Sequence, residues 1–154
     1  MAIRNIVQIG DPVLRKKCFE VTDFGPKTHQ LLDDMKETLK FVKGAGLAAP
    51  QVGVLRRIFI VMLEEEGVYY ECINPKIVEQ KGKQVGEEGC LSVKGKQGTV
   101  ERPRFVKVTA FDRYGKQFTV QASDFLARAF CHENDHLDGI IYVDKAKNVV
   151  DEEC

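Results

Sequence analysis

The chain lacks an excess of charge, a long apolar run and a regular cysteine pattern, and each absence narrows its role. Its 154 residues balance 23 Lys and Arg against 23 Asp and Glu. That leaves no dominant basic face for nucleic acid or anionic lipid. No stretch approaches the length of a membrane span, and the opening MAIRNIVQIGDPVLRKKC has no apolar core of a secretory signal. The five cysteines (Cys18, Cys72, Cys90, Cys131, Cys154) are odd in number and irregularly spaced, unlike a disulfide framework. These features predict a reducing cytoplasm, where a thiolate stays free for a metal. Repeats, low-complexity tracts and linkers are also missing. The expectation is a monomer with one domain over 1–154, long enough to bury its own core.

What is present reads as α+β. Leu31, Leu32, Met35, Leu39 and Val42 recur at helical spacing and predict a helix over 27–43. It should stop at Gly44, in the glycine- and alanine-rich loop GAGLAAPQVG. Extended runs follow at 56–63, 67–73 and 76–84. Two alternating runs, 104–112 and 116–122, flank Arg113, Tyr114 and Gly115 and predict a hairpin. A second helix should be capped by Ser123 or Asp124, carry CHENDH and end at Gly139. The fold expected is short, mostly antiparallel strands wrapped around this core helix.

CHENDH holds two of the chain's three histidines. His132 and His136 lie one turn apart on one helical face and can grip a small cation, with Glu133 beside the open coordination position. Two ordinary histidines on a polar face is the weaker alternative. A catalytic site needs a third ligand. Downstream stand Asp138, turned away from the histidines, and Asp144, Asp151, Glu152, Glu153 and Cys154, on a tail expected to fray. The third ligand is therefore sought upstream, where GEEGCLS (86–92) stands out. A lone cysteine is usually a small buried hydrophobe. That reading suits Cys72, and Cys131 points off the histidine face; Cys18 and Cys154 look incidental. Cys90 differs because turn-making and acidic residues flank it.

GAGLAAPQ (44–51), EGCLS (88–92) and HENDH (132–136) together resemble, in order and separation, the three motifs of the peptide deformylases. The GDPVLRK opening and the INP at 73–75 fit as well. The resemblance implies removal of the formyl group from the N-terminal formyl-methionine of new polypeptides. It implies one divalent ion held by Cys90, His132 and His136: ferrous iron natively, with zinc, nickel or cobalt as substitutes. A water activated by the ion would attack the formyl carbon, and Glu133 would pass its proton to the leaving amine. Gln51 and the Leu91 N–H would stabilise the oxyanion. The peptide would lie as an added strand along Gly44, Ala45, Gly46 and Gly89, with its first side chain against Phe125, Arg128 and Ala129. Without the resemblance, Gln51 reads as a solvated loop residue, and Gly44 and Gly46 as a helix stop and a turn. Glu88 is either a support for a ligand histidine or an exposed loop charge.

Four positions depart from the family pattern. Lys94 and Gln97 stand where a proline and an arginine are usual, and Gly86 where an apolar residue is. Arg128 falls on a helix face that should be apolar, where an unpaired charge is costly. The favoured expectation is that it snorkels to solvent. The alternative pairs it with Glu87, Glu88 or a substrate carboxylate, with altered specificity. An HExxH endoprotease and a non-catalytic binder of N-termini are the competing readings.

Overall fold

The computed structural model describes residues 2–151. Helix α1 spans Pro26–Val42, one residue off the sequence expectation, and buries Leu31, Leu32, Met35 and Leu39. Pro26 suits the first turn, where its missing N–H would have no helical partner. The helix stops not on Gly44 but on Lys43, which adopts the left-handed conformation (φ 57) and closes on the Leu39 and Lys40 carbonyls. Gly44 answers a different need. A Cβ there would lie 2.9 Å from Leu39 Cδ1 and 3.0 Å from Leu91 Cδ1.

Strands β1 (Gly46–Ala48), β2 (Ile58–Leu63), β3 (Val68–Lys81), β6 (Phe105–Phe111) and β7 (Gln117–Ser123) form one sheet. Its order is β1-β2-β3-β6-β7, with every pairing antiparallel. Side chains alternate across β2, so Phe59 and Val61 join one core cluster while Ile58, Ile60 and Met62 join the other, packed on α1. The runs at 67–73 and 76–84 prove to be mainly one strand, bent where the register shifts between Ile73 and Lys76. Asn74 takes a positive φ there and bonds both backbone groups of Val21. The β6–β7 hairpin follows the expected alternation.

A second, antiparallel sheet contains β4 (Gln84–Cys90), β5 (Val93–Arg102) and β8 (Lys147–Asp151) in the order β4-β5-β8. It corrects two expectations. GEEGCLS is mostly strand, not loop, and the tail holding Asp151 pairs with β5 instead of fraying. Glu152, Glu153 and Cys154 lie outside the described residues.

Helix α2 (Asp124–His136) is buried along most of its length. Ser123 holds the expected cap position but makes no side-chain cap bond, and Asp124 pairs with Arg104. The helix itself closes at His136, three residues before Gly139. Cys18, Cys72 and Cys131 lie in the cluster around α2, so Cys18 is a core residue, not an incidental one. Burial pushes the Cys18 and Cys131 thiols up to about 11. Residues 2–9 run without regular structure across α1, where the Ala2 N–H reaches Asp34 and the Arg4 N–H reaches Thr38. Among the described residues no helix is long and apolar enough to cross a membrane.

Candidate active site

Each sheet leaves an edge strand, β1 in one and β4 in the other. Both border a cavity of about 960 Å3, and α2 supplies Arg128, Ala129, His132 and Glu133 to its lining. Ala45, Gly46, Gln51, Gly89 and Leu91 line it too, while Phe125 stands half-exposed at its side.

At one end of this cavity Cys90, the last residue of β4, meets His132 and His136. Their donor atoms all lie within 4.8 Å of one another, and Cys90 Sγ is 3.4 Å from His136 Nε2. A thiolate and two imidazoles suit a small divalent transition ion and leave one position for a reactant. The His132 Nδ1 is 2.8 Å from Glu88 Oε1, which orients the ring and leaves its other nitrogen for a cation. His136 Nδ1 and Glu133 Oε1 are buried without a hydrogen-bond partner among the described residues. The donor set therefore fits a bound ion, and an unbonded carboxylate oxygen beside it is free to take a proton.

The electrostatics agree with that use. Burial opposes charge on His132, but hydrogen bonds to Cys90 and Glu88 outweigh it and push the ring up to about 10. Burial and the His132 charge hold His136 well below its ordinary value. A cation must displace the His132 proton, so loading and proton release are coupled. Burial pushes Glu133 up to about 7, although His132 works the other way. A carboxyl poised near neutrality can both accept and return a proton. Gly46 is essential to this arrangement, because a Cβ there would overlap the Glu133 carboxylate.

Glu88 is not an exposed loop charge. Its Oε1 meets His132 and, at 2.9 Å, Arg102 Nη2, while its Oε2 meets Arg102 Nε at 2.9 Å and Arg128 Nη1 at 2.5 Å. Burial alone would raise its pKa, but Arg102 and His132 hold it far below the usual carboxylate range. Arg102 in turn bonds Asp135 at 2.7 Å. Arg102 carries no signal of its own in the sequence, because the run that leads to it lacks the apolar alternation of a strand.

Arg128 overturns the favoured expectation. It is 6% exposed and does not snorkel; it pairs with Glu88 and donates to the Val100 carbonyl at 3.1 Å. A buried carboxylate is a stronger partner than water at the end of an extended side chain. Gly86 makes room, since a Cβ there would sit 3.0 Å from Arg128 Nη2. The departures at 86 and 128 are thus one packing feature.

Gln51 is buried in the 3₁₀ turn Ala49–Val52, not solvated. Its Oε1 accepts the Ala48 N–H at 2.9 Å, and its Nε2 lies 3.1 Å from Ser92 Oγ and 3.5 Å from Cys90 Sγ. The Ala48 donor fixes the amide orientation, because a flipped Gln51 would set N–H against N–H. The amide hydrogens are therefore presented beside the cation site.

The family model for polypeptide deformylase matches residues 3–152. A peptide deformylase of Lachnoclostridium phytofermentans is 50% identical over 153 residues, covering 99% of this chain and 94% of that protein. One from Thermoanaerobacter pseudethanolicus is 49% identical, covering 99% and 95%. Among solved structures, the peptide deformylase of Legionella pneumophila superimposes with a TM-score of 0.92 at 38% identity, over 96% of this chain and 88% of that one. The Synechococcus elongatus peptide deformylase in complex with actinonin gives 0.90 at 36% identity, over 94% and 79%.

Proposed function

The chain belongs to the polypeptide deformylase family, and on that premise we propose how its residues divide the work of removing the formyl group from N-terminal formyl-methionine. The activity is that of a metal-dependent hydrolase acting on formylated nascent polypeptides. The observation that carries the assignment is the meeting of Cys90, His132 and His136 within 4.8 Å, beside a buried Glu133.

Those three side chains would hold one divalent ion, ferrous iron natively, with zinc, nickel or cobalt also suited to a thiolate and two imidazoles. Such an ion supplies Lewis acidity, which lowers the pKa of a water and polarises the formyl carbonyl. Glu133 takes the proton of the attacking water and returns it to the leaving amine. The Gln51 amide and the Leu91 N–H bear on the oxygen where negative charge develops. The peptide main chain lies between the free edges of β1 and β4, along Gly44, Ala45, Gly46 and Gly89. Phe125, Ala129 and the stem of Arg128 wall the first side chain. Because Glu88 takes up the Arg128 charge, the wall suits an apolar methionine and gives no reason to expect selection of an acidic residue. The free thiols fit a reducing cytoplasm, and a monomer suffices because one chain supplies every residue named.

Formate release from formyl-Met-Ala-Ser tests the reading, using protein loaded anaerobically with iron, nickel or zinc. The expected result is turnover by wild type and a loss of roughly a thousandfold in Glu133→Ala. No turnover with any ion, despite one bound per chain, would defeat it.

A further inference from the structure

Residues 7–9 belong to none of the three motifs, yet they touch the backbone of two. The Val7 N–H donates to the Gln51 carbonyl at 2.7 Å, and the Ile9 N–H to the Ser92 carbonyl at 2.7 Å. Between them, Gln8 Nε2 donates to the Leu91 carbonyl at 2.9 Å, while Gln8 Oε1 lies 3.4 Å from the Lys94 N–H. Gln8 thus spans the turn between β4 and β5 with a donor on one side and an acceptor on the other. The same segment is tied at its start to α1 through Asp34 and Thr38.

We propose that Gln8 is a positioning residue for the reaction: with Val7 and Ile9 it fixes the backbones of Gln51, Leu91 and Ser92, and so sets the two oxyanion donors against each other. This rests on the reading that Gln51 and Leu91 stabilise the oxyanion. The two donors come from different loops, 40 positions apart in the chain, and each needs its own fixture. Ser92 Oγ and the Ala48 N–H orient the Gln51 amide. The peptide bearing the Leu91 N–H is held at one end by Cys90. At its other end the turn could rotate, were the Leu91 and Ser92 carbonyls not tied down by Gln8 and Ile9. Donors of this kind act only when preorganised near the developing charge, and small misplacements are costly.

The test compares wild type with Gln8→Met, of similar length but without donor or acceptor, and Gln8→Glu, which turns an oxygen on the Leu91 carbonyl. Gln8→His, which keeps an N–H of similar reach, is the rescue variant. All are loaded with the same ion, and kcat and KM are measured separately on formyl-Met-Ala-Ser. The expected result is a kcat about tenfold lower in Gln8→Met and lower still in Gln8→Glu, with KM within about twofold. Gln8→His recovers most of the loss. Amide exchange at Val7 and Ile9 rises in Gln8→Met, while metal content and thermal midpoint stay near wild type. Wild-type kcat in both Gln8→Met and Gln8→Glu overturns the proposal. So does a loss that follows metal content or unfolding, or that appears in KM alone. Failure of the underlying reading looks different: Gln51→Ala, loaded with the same ion, then keeps the wild-type kcat, and the role of Gln8 falls with it.

Discussion

Strand β2 of the five-stranded sheet reads IFIVML and feeds two apolar clusters, whereas β4 of the three-stranded sheet reads QVGEEGC and turns Glu88 inward. In the first sheet each buried Ile or Phe contributes roughly 1.5–3 kcal/mol by leaving water. In the second, the inward positions of β5 include Gly98, Val100 and Arg102, and a buried carboxylate gathers two guanidiniums and an imidazole. Such a cluster is worth little net stability against an apolar replacement, but losing one member is expensive. What it provides is orientation: Glu88 fixes His132, and β4 delivers Cys90.

The sharpest way to break this contrast is Glu88→Ala, which leaves Arg102 and Arg128 buried against each other. Stability should fall by about 3–5 kcal/mol, and metal affinity of the folded protein by about 10–100-fold, read by urea unfolding and metal competition. Phe59→Ala should cost a similar 3–5 kcal/mol by opening a cavity against Phe130, yet leave affinity per folded molecule unchanged. Equal affinity losses in both variants would erase the distinction between the sheets.

Smaller effects sharpen it. Gly86→Val displaces the Arg128 guanidinium, and Arg128→Ile opens space beneath Gly86. The double variant should be less destabilised than the sum of the singles by about 1–2 kcal/mol in a denaturation cycle. Strict additivity would separate the two positions. Smallest is Asp34→Asn, at about 1 kcal/mol near neutral pH. Burial alone would raise the Asp34 pKa, but the Ala2 N–H, Gln30 and Arg4 bring it below the usual 3.8. As pH falls the unfolded chain therefore binds the proton first. The contribution is complete above that value and is lost as pH drops through the folded pKa. Acid unfolding curves of the two proteins should converge on the acid side; a gap that persists there would contradict the assignment.

The same contrast explains what could be read from the sequence. Helix α1 and the β6–β7 hairpin are legible because their apolar positions keep periods near 3.6 and 2. β5 is not, since Lys94, Gly95 and Lys96 follow its first residue and an arginine occupies an inward position where the pattern demands a hydrophobe. β8 is exposed at every position and has no alternation to detect. His132 and His136 followed from helical spacing alone, and Cys90 stood out by its flanking residues. The Glu88 cluster could not be found that way, because it unites residues from two strands and a helix. The favoured expectation for Arg128 fails for the same reason: the partner that holds it lies 40 positions away.

The wide spacing of the metal donors also has a bearing on synthesis. Cys90 and His136 stand 46 positions apart, and between them are made β5, β6, β7 and nearly all of α2. Every residue of the five-stranded sheet, through Ser123, precedes both histidines in the order of synthesis. The donor set is therefore complete only once residue 136 has been added, near the end of the given sequence. Until then Cys90 is a thiol without its two histidine partners, at its most open to oxidation.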